Sequence, residues 1–552
     1  MKNATHKNFH YILILFIGLF CVGNSFGQVR KDFTPRDSQY SPGKTIYNVR
    51  GDFTMIGNTN LTLSSYGDNT NHSNSMIYVD IDNDDSTFNS SSATLNLSSE
   101  NGANPDCSNI IYAGLYWTGR NSNSYSNLQR RTVKFKTPGQ SSYQTLVANT
   151  NDIRYPGDSN MFAGYIEVTT EVKASGSSKG EYFVADIATS EGNGGGTGYY
   201  GGWGMVVVYE NSEMNWRDIT VFDGYAYVQG GNASHDFMIN GFKAVQNGDV
   251  NVKLGMMAGE GDRNISGDYF QIRNANNSSW QTLSHSNNSP VNFFNSSIYT
   301  GGNARNPNLL NNTGLDISMF NIDNTNNDII ANNQTSASFK YGSTQDTYII
   351  YNVTFSVDAY VPETNGVLTA NTVNDIPNPI PLEVIPGDVV QYGLEITNNG
   401  TETINNTVIT LPIPYTSTYQ PGSISYSVNP PLNLNSVPVP YFDVTLGPTG
   451  SIIWEIGDLP LPNNPGDILA NLSFDLVATT DCALLVNANC GSNVSLTGSI
   501  SGVGETSQTS FNQPLIQGYQ TSGTCMGEPI PTPTVIPINS TQFVNDNCGS
   551  YT

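Results

Sequence analysis

The sequence predicts an all-β protein: a large N-terminal β-sandwich of jelly-roll type, an immunoglobulin-like β-sandwich and a short disulfide-bearing β segment. Three observations support this prediction. Apolar residues alternate with polar residues at period two in many short stretches, which is typical of half-buried strands. Only 12% of the residues are charged and 53 are glycine, a composition that favours strands and turns over helices. No stretch of residues 28–361 shows a long helical period.

The first 27 residues predict a secretion signal. Two lysines precede an apolar run at 11–22, and small residues at the −3 and −1 positions predict cleavage after Gly27. A lipid anchor on Cys21 is disfavoured because the bulky Phe20 precedes it. No later run approaches the roughly 18 apolar residues of a membrane span. We therefore expect a secreted chain, or one held on the outer surface of the cell.

The domain boundaries follow from changes in the pattern. Residues 28–361 are expected to form the N-terminal sandwich, in which Val133 and Phe135 of "TVKFK" point inward. A proline-rich segment then marks a boundary. Residues 362–478 alternate again over about the length of one immunoglobulin-like sandwich, with Trp454 as the expected core aromatic residue.

Residues 479–552 are expected to be a disulfide-bearing β segment that begins a further domain, and the closing residues predict that the natural protein continues. Four cysteines lie in this segment: Cys482, Cys490, Cys525 and Cys548. They allow three connectivities. The pairs Cys482–Cys490 and Cys525–Cys548 are favoured because near neighbours need the least chain reorganisation. Cys107 is left over, either buried and free or paired beyond this chain.

The acidic residues are distributed unevenly. The formal net charge is −24, and Lys340 is the last basic residue, followed by 17 acidic ones. This excludes nucleic acid as a partner of the C-terminal part, because phosphate binding requires a cationic surface. The acidity predicts solubility and repulsion of anionic surfaces, or alternatively cation binding.

Two regions resemble known bacterial families. Residues 373–478, which include "VIPGDVVQYGLEITNNGTETINNTVITLPIP", resemble the conserved-repeat module of surface proteins, an immunoglobulin-like spacer. Most of residues 78–360 resembles a domain found before such repeats in secreted proteins, through stretches such as "IYAGLYWTGR" and "GEGDRNISGDYFQI". This second resemblance implies no established catalytic activity.

The C-terminal stretches "VSLTGSISGVGETS" and "TCMGEPIPTP" resemble the giant surface adhesins of gliding Bacteroidota. The resemblance implies export by the type 9 system and an interaction with outer-membrane secretion or attachment machinery. The sequence departs from the pattern because it shows no C-terminal sorting domain. That domain is expected beyond residue 552, unless the chain is exported differently.

A glycine-rich stretch, "EGNGGGTGYYGGWGMVVVYE" at 191–210, contains a G-x-G-x-x-G match. A dinucleotide site requires a helix after the glycines, whereas the valine-rich run that follows them predicts a strand. The stretch is therefore interpreted as a flexible hairpin loop and not as a nucleotide site. Aromatic rings on a loop can stack on sugars or on another protein, which makes Tyr199, Tyr200 and Trp203 candidate ligand-binding residues.

Metal binding is the chemistry that the sequence indicates best. Asp80, Asp82 and Asp84 alternate in "DIDNDDS", as oxygen ligands do at the start of a calcium loop. Asp85 and Ser91 stand where an EF-hand has glycine and glutamate, so this is not an EF-hand. On a strand the three carboxylates would share one face and need a cation, whereas in a solvated loop they would need none. Both alternatives remain open.

A second candidate calcium cluster comprises Glu260, Asp262, Asp268 and Asp316. The alternative is a turn in which Arg263 neutralises its neighbours. Calcium is the cofactor that we expect.

These features predict a cell-surface structural or adhesive protein, not an enzyme and with no catalytic residues. We expect the outer N-terminal part of a longer gliding-type adhesin that binds an extracellular surface or polysaccharide. The alternative is a secreted carbohydrate-binding or carbohydrate-active protein. A groove lined by aromatic residues and two carboxylates would favour the alternative, whereas a smooth sandwich with calcium only in its loops would favour the first.

Overall fold

The computed structural model describes residues 28–549 apart from 72, 123, 155–159, 176–178, 232, 360, 488–492 and 526. The expected signal peptide, including Cys21, lies outside the described residues, and so does Cys490. Within the described residues, no helix has the length and apolar character to cross a membrane.

The described strands of the first sandwich are, in chain order, β1 (Gln28–Pro35), β2 (Tyr47–Thr59), β3 (Leu61–Leu63), β4 (Ser75–Tyr78), β5 (Ser90–Leu95), β6 (Asn109–Arg120), β7 (Thr132–Lys136), β8 (Gln144–Val147), β9 (Ile153–Arg154), β10 (Met161–Glu167), β11 (Gly180–Ala185), β12 (Gly192–Asn193), β13 (Tyr200–Glu210), β14 (Trp216–Val228), β15 (Ala233–Asn240), β16 (Val252–Gly259), β17 (Asp268–Arg273), β18 (Trp280–Thr282), β19 (Ile298–Tyr299), β20 (Arg305–Asn306), β21 (Leu315–Ile322), β22 (Ser336–Ser343) and β23 (Tyr348–Asp358). Among the described residues, two short α-helices interrupt them, α1 (Asn127–Arg131) and α2 (Thr169–Ala174).

The described strands of the second sandwich are β24 (Thr364–Val373), β25 (Ile376–Pro377), β26 (Val389–Asn398), β27 (Ile404–Pro412), β28 (Ser417–Tyr419), β29 (Ser425–Val428), β30 (Tyr441–Asp443), β31 (Ser451–Leu459), β32 (Ala470–Ala478), β33 (Asn493–Leu496), β34 (Ser499–Gly504), β35 (Ser510–Pro514), β36 (Ile516–Tyr519), β37 (Pro529–Pro531) and β38 (Thr534–Pro537). The helices α3 (Cys482–Leu485) and α4 (Thr541–Asn547) lie in its last part. The predicted all-β architecture is confirmed.

A large sheet organises the first sandwich. Its described strands follow the order β19-β21-β16-β23-β14-β2-β13-β6-β10-β9, and β1 pairs with β14. The neighbouring strands are antiparallel except for β19 and β21, which pair in parallel. Two smaller sheets, β20-β5-β11-β7-β8 and β15-β22-β17-β18, cover different parts of it.

Period-two alternation places the apolar side chains between these layers. Val133 and Phe135 of β7 are buried, as the sequence predicts, and they belong to a core that includes Trp117 and Trp203 of the large sheet. The sheet β15-β22-β17-β18 buries Phe270 and Phe339 in a separate core, to which strands β14, β16 and β23 of the large sheet also contribute. Burial of rings of this size supplies most of the driving force for layer packing.

The large sheet curls back on itself, so that β2 and β13 pack against β16 and β21. Glycine permits this close approach. A Cβ atom on Gly204 of β13 would lie 2.6 Å from Cε of Met257 on β16, and one on Gly255 of β16 would lie 2.6 Å from Sδ of Met55 on β2. The inside of the curl is a third core, rich in tyrosine, which includes Tyr112, Tyr200 and Tyr351 — all fully buried or nearly so.

The second sandwich has one sheet ordered β28-β32-β26-β24-β36-β37 and another ordered β30-β31-β27-β34-β35. Trp454 of β31 is fully buried between them, as expected, and its Nε1 donates to the Pro438 carbonyl oxygen at 2.9 Å.

The expectation that a further domain begins at residue 479 is not met. Strand β34 pairs with β27, and β36 pairs with β24, so the segment after residue 478 completes both sheets of the second sandwich. Leu496, Ile500 and Ile536 share its hydrophobic core. The sequence pattern could not show this, because alternation identifies a strand but not the strand with which it pairs.

Candidate binding site

The glycine-rich stretch does not form the aromatic loop that the sequence suggested. Tyr200 and Trp203 lie in β13 and are fully buried, and Trp203 Nε1 donates to Ser91 Oγ at 2.9 Å. Their assignment as exposed ligand-binding residues is wrong, because β13 is central in the large sheet and covered on both faces. Only Tyr199 precedes the strand, half-buried beneath the Arg120 guanidinium, whose carbon lies 5.4 Å from its ring centroid.

The glycines also do not close a hairpin. Strand β11 before them belongs to the sheet that contains β5 and β7, whereas β13 after them pairs with β2 and β6. The segment is therefore a crossover between two layers. Arg120 Nη1 donates to the carbonyl oxygen of Gly194 at 2.8 Å and also to that of Gly198. These bonds tie the crossover to β6. The predicted strand after the glycines is confirmed, which removes the helix that a nucleotide site needs.

Asp80, Asp82 and Asp84 lie in the loop between β4 and β5, not on one face of a strand. Each carboxylate accepts a local hydrogen bond: Asp80 from Ser90 Oγ at 2.8 Å, Asp82 from the Asp84 N–H at 3.0 Å and Asp84 from the Ser86 N–H at 2.9 Å. Aspartates commonly stabilise turns in this way.

The Tyr143 hydroxyl donates to Asp82 as well. Burial raises the pKa of Asp82, but this bond and the Asp84 N–H outweigh burial and leave the pKa below its ordinary value. The ionised form of Asp82 is therefore stabilised by donors of the chain itself.

Glu260, Asp262, Asp268 and Asp316 are all buried, and the structure adds Asp346 to them. Burial raises the pKa of Glu260 well above its ordinary value, and the nearby carboxylates of Asp346, Asp262 and Asp316 raise it further. The sequence did not indicate Asp346, which follows β22 more than eighty residues after Glu260.

Backbone amides hold this acidic cluster in place. Asp268 Oδ1 accepts from the N–H groups of Phe293 and Phe294 at 2.6 and 2.9 Å, and Asp316 Oδ1 accepts from Ser297 N–H at 2.9 Å. Burial nevertheless raises the pKa of Asp268 to about 7 and that of Asp346 to about 9. The cluster therefore holds protons at neutral pH.

Among the described residues, no group of three or more His, Cys, Asp or Glu side chains is arranged to hold a metal ion. The alternative for the second cluster was a turn in which Arg263 neutralises its acidic neighbours. Neutralisation is not the main interaction of this arginine. Arg263 donates to the carbonyl oxygens of Asp68 and Asn295, although its charge does lower the pKa of Asp316 slightly against burial. Calcium binding stays a prediction.

The disulfide pairing differs from the favoured one. Cys107 is bonded to Cys525, 418 residues away, and Cys482 is bonded to Cys548. Cys107 is thus neither free nor left for another chain. The preference for near neighbours failed because the fold brings the loop before β6 against the loop between β36 and β37.

The Cys107–Cys525 bond joins the two sandwiches, and ionic contacts reinforce the junction. Glu363 Oε2, just before β24, accepts from Arg50 Nη2 at 2.9 Å and from Trp216 Nε1 at 2.9 Å. Ser212 Oγ donates to Glu528 Oε1 at 2.8 Å. We refer to the disulfide with the Arg50–Glu363 and Trp216–Glu363 bonds as the interdomain clamp.

A cavity with a volume of about 770 Å³ lies at one end of the curled sheet. Strands β2, β14, β16, β19, β21 and β23 supply its walls, together with the turn at Glu100 and the loop at Ser284–Ser286. We call it the sheet-end cleft. Its volume lies within the range of about 300–1,000 Å³ typical of ligand sites.

Two ion pairs line the sheet-end cleft. Lys253 Nζ lies 2.6 Å from Asp52 Oδ2, and Arg217 Nη2 lies 2.5 Å from Glu100 Oε1. The second pair is bidentate, because Arg217 Nη1 also donates to Glu100 Oε2 at 2.8 Å. Each cation in these walls therefore faces a carboxylate, and the four charges cancel.

An aromatic stack forms another wall. The rings of His285 and Tyr299 are nearly parallel, with centroids 4.5 Å apart and an interplanar angle of 13°. Phe320 lies behind His285, at 5.2 Å between centroids. Burial lowers the pKa of His285 to about 4, so the ring is neutral at neutral pH.

The neutral histidine also has a defined tautomer. Its Nδ1 accepts from the Asn287 N–H at 3.2 Å, which leaves Nε2–H to donate to Ser318 Oγ at 2.9 Å. These bonds fix the plane of His285 and thereby the orientation of the half-buried Tyr299 ring that lies on it.

None of the cleft residues was singled out from the sequence. Asp52, Arg217, Lys253 and Tyr299 are far apart along the chain and lie in unremarkable alternating stretches. The sequence carries only a weak signal for this site, namely charged residues within strands whose other positions alternate between apolar and polar. Such residues usually form a solvated face, and only the curl of the sheet brings them together around one cavity.

No protein-family model matches the chain, and no curated protein matches it. Among solved structures, the chain is similar to the full-length major pilin SpaD from Corynebacterium diphtheriae, with 10% identity and a TM-score of 0.20 over 46% of this chain and 58% of the pilin. It is also similar to the N-terminal domain of the Streptococcus gordonii adhesin Sgo0707, with 9% identity and a TM-score of 0.19 over 85% and 89% of the two chains.

A third similarity is to the β-1,2-glucanase from Parabacteroides distasonis, with 8% identity and a TM-score of 0.15 over 54% of this chain and 32% of the glucanase. The chain thus spans 58% of the length of the pilin and a third of that of the glucanase. At TM-scores of 0.20 and below, these similarities assign neither a fold family nor an activity.

Proposed function

We propose that this chain is an exported cell-surface protein with an adhesive role, and that its N-terminal sandwich contacts an extracellular surface or polysaccharide. The interdomain clamp is the observation that carries the proposal. A disulfide between Cys107 and Cys525 forms and persists in an oxidising compartment, as outside the cell. The same bond makes the two sandwiches one unit, which suits a protein that must transmit a pulling force between a surface and a cell.

The charge distribution supports the same role. The second sandwich contains no lysine or arginine, because the last basic residue is Lys340. An acidic surface repels anionic envelopes. The second sandwich is therefore suited to act as a spacer, with the first sandwich presented to the target.

The route to the surface belongs to the proposal too. The stretches "VSLTGSISGVGETS" and "TCMGEPIPTP" resemble gliding-type adhesins of Bacteroidota, and we propose export by the type 9 system as part of a longer adhesin. Partners in the outer membrane would then provide secretion and attachment.

We further propose that calcium contributes to the function. The buried carboxylates around Glu260 lie close together, and like charges that are buried are costly unless protons or a cation neutralise them. Asp80, Asp82 and Asp84 form a second place where calcium would act, on an exposed loop.

The alternative, a carbohydrate-active protein, gains one observation from the sheet-end cleft, which contains aromatic side chains and the two carboxylates of Asp52 and Glu100. A glycosidase needs one carboxylic acid and one carboxylate. Asp52 and Glu100 are each engaged in an ion pair, with Lys253 and Arg217 respectively, and neither is placed as an unpaired acid in the cavity. We therefore propose binding and not hydrolysis.

The test uses the exported chain, residues 28–552. It is incubated with a panel of polysaccharides and abraded surfaces, with calcium or with chelator, and both retained protein and released reducing sugar are measured. We expect calcium-dependent retention without released sugar. Released sugar would contradict the non-enzymatic proposal, and no retention on any member of the panel would contradict the adhesive one.

A further inference from the structure

We infer that the sheet-end cleft binds an uncharged glycan, with the Tyr299 ring as the platform for one sugar face. This inference rests on the proposed adhesive function and adds to it the site and the class of ligand. It combines three observations: a fixed aromatic ring, cancelled charges and exposed amide and hydroxyl groups, all around one cavity.

The aromatic ring is the first observation. Tyr299 lines the cleft and is only half-buried, and one of its faces is covered by His285. Because His285 is hydrogen-bonded at both ring nitrogens, the Tyr299 ring lies on a rigid support. The C–H faces of sugars are apolar and pack on aromatic rings, and a ring that is already oriented loses little conformational entropy on binding.

The charges are the second observation, and they select the class of ligand. The cations of the cleft, Lys253 and Arg217, face Asp52 and Glu100 in close ion pairs. A sulfated or uronic-acid glycan would have to displace a carboxylate from its partner. The net charge of −24 adds repulsion of any polyanion at long range.

The exposed polar groups are the third observation. Asn321 on β21, Asn251 before β16 and the hydroxyls of Ser284 and Ser286 line the cleft and are exposed. Amides and hydroxyls both donate and accept hydrogen bonds, as sugar hydroxyls require. Sites of this kind combine an apolar platform with a few convergent polar groups.

The experiment measures binding of the 28–552 chain to dextran, soluble starch, mannan and xyloglucan as neutral probes and to alginate and heparin as polyanions. Affinity electrophoresis and calorimetry give the dissociation constants. We expect retention by at least one neutral probe and none by the polyanions.

Four variants locate the site. Tyr299→Ala is expected to weaken binding to the retained neutral probe by about tenfold or more, whereas Tyr299→Phe keeps the ring and is expected to bind within about twofold of the unaltered chain. Asn321→Ala removes an exposed amide of the cleft, and is expected to weaken binding by about three- to tenfold. Tyr415→Ala removes an exposed tyrosine of the second sandwich and is expected to change nothing.

The outcomes separate this inference from the proposed function. Thermal unfolding first verifies that the Tyr299→Ala and Asn321→Ala variants are folded. If the unaltered chain adheres to a surface or polysaccharide and these two variants adhere equally well, the cleft assignment is wrong and the adhesive function stands. Preferred binding of alginate or heparin would overturn the assignment to an uncharged glycan. If the chain adheres to nothing, the adhesive function fails and this inference fails with it.

Discussion

Arg50 of the first sandwich and Glu363 at the start of the second form an ion pair, with Nη2 and Oε2 2.9 Å apart. The side chains are partly buried, at 30% and 18% exposure, and the same carboxylate oxygen accepts from Trp216. This ion pair joins residues that are 313 positions apart in the sequence. It thus helps to fix the angle between the two domains.

Glu363→Gln is expected to destabilise this junction, because it leaves the Arg50 charge without its partner. The expected loss is about 1–3 kcal/mol in the free energy of unfolding, measured by urea denaturation. Cleavage by protease near residue 361 should accelerate in parallel. Asp106→Asn is the matched control: its ion pair with Lys179 is more exposed, with the aspartate at 59%, and its loss should cost below about 1 kcal/mol. Equal effects of the two variants would contradict the role of Glu363.

The covalent part of the clamp is tested by peptide mapping without reduction. We expect peptides that link Cys107 to Cys525 and Cys482 to Cys548. The double variant Cys107→Ser/Cys525→Ser is expected to lose about 2–4 kcal/mol and to show a longer maximum dimension in solution scattering. The double variant Cys482→Ser/Cys548→Ser loses stability without that change in dimension. A peptide linking Cys525 to Cys548 would contradict the pairing.

Trp203→Ala is expected to cost about 3–5 kcal/mol, since a fully buried indole leaves a large cavity and Ser91 Oγ loses its donor. Chemical denaturation measures the loss. Tyr199→Ala, four residues earlier and half-buried, should cost less than half as much. A Trp203→Ala variant that unfolds like the unaltered chain but loses glycan binding would restore the interpretation of Trp203 as a ligand-binding residue.

The buried acidic cluster predicts that stability falls between pH 7 and pH 9. The folded state keeps a proton on Asp346 up to about pH 9, whereas the unfolded chain releases it near pH 4. Since the folded state binds more protons, the free energy of unfolding decreases as pH rises, by about 1.4 kcal/mol per pH unit for each such proton.

The range above pH 7 is chosen because His285 acts in the opposite direction below it. Its pKa of about 4 makes stability rise with pH until the unfolded histidine is neutral, near pH 6.5. In thermal unfolding from pH 7 to pH 9, Asp346→Asn should flatten the decline, and the exposed Asp458→Asn should leave it unchanged. A melting temperature that rises over this range would contradict the prediction.

Calcium is tested on the same cluster. At pH 8, millimolar calcium is expected to raise the melting temperature of the unaltered chain, because a bound cation replaces the protons that the carboxylates lose. Asp316→Asn should reduce the increase. Asp80→Asn serves as the comparison for the exposed loop. An identical melting temperature with calcium and with chelator would remove calcium from the proposed function.

The sequence by itself determined the all-β class, the inward positions of strands such as β7 and the burial of Trp454. These depend on alternation between neighbouring residues, which is a local property. The strand that follows the glycines in β13 was predictable for the same reason. What that strand packs against was not predictable, because alternation does not show that both faces of β13 are covered and that Tyr200 and Trp203 are buried.

Only the tertiary structure decided the site. The sheet-end cleft exists because the large sheet curls and brings Asp52, Arg217, Lys253 and Tyr299 together from four strands. The bond from Cys107 to Cys525 and the addition of β34 and β36 to the second sandwich are decided in the same way. Strand pairing and disulfide pairing join residues that are distant along the chain, and the period-two pattern that specifies each strand carries no information about its partner.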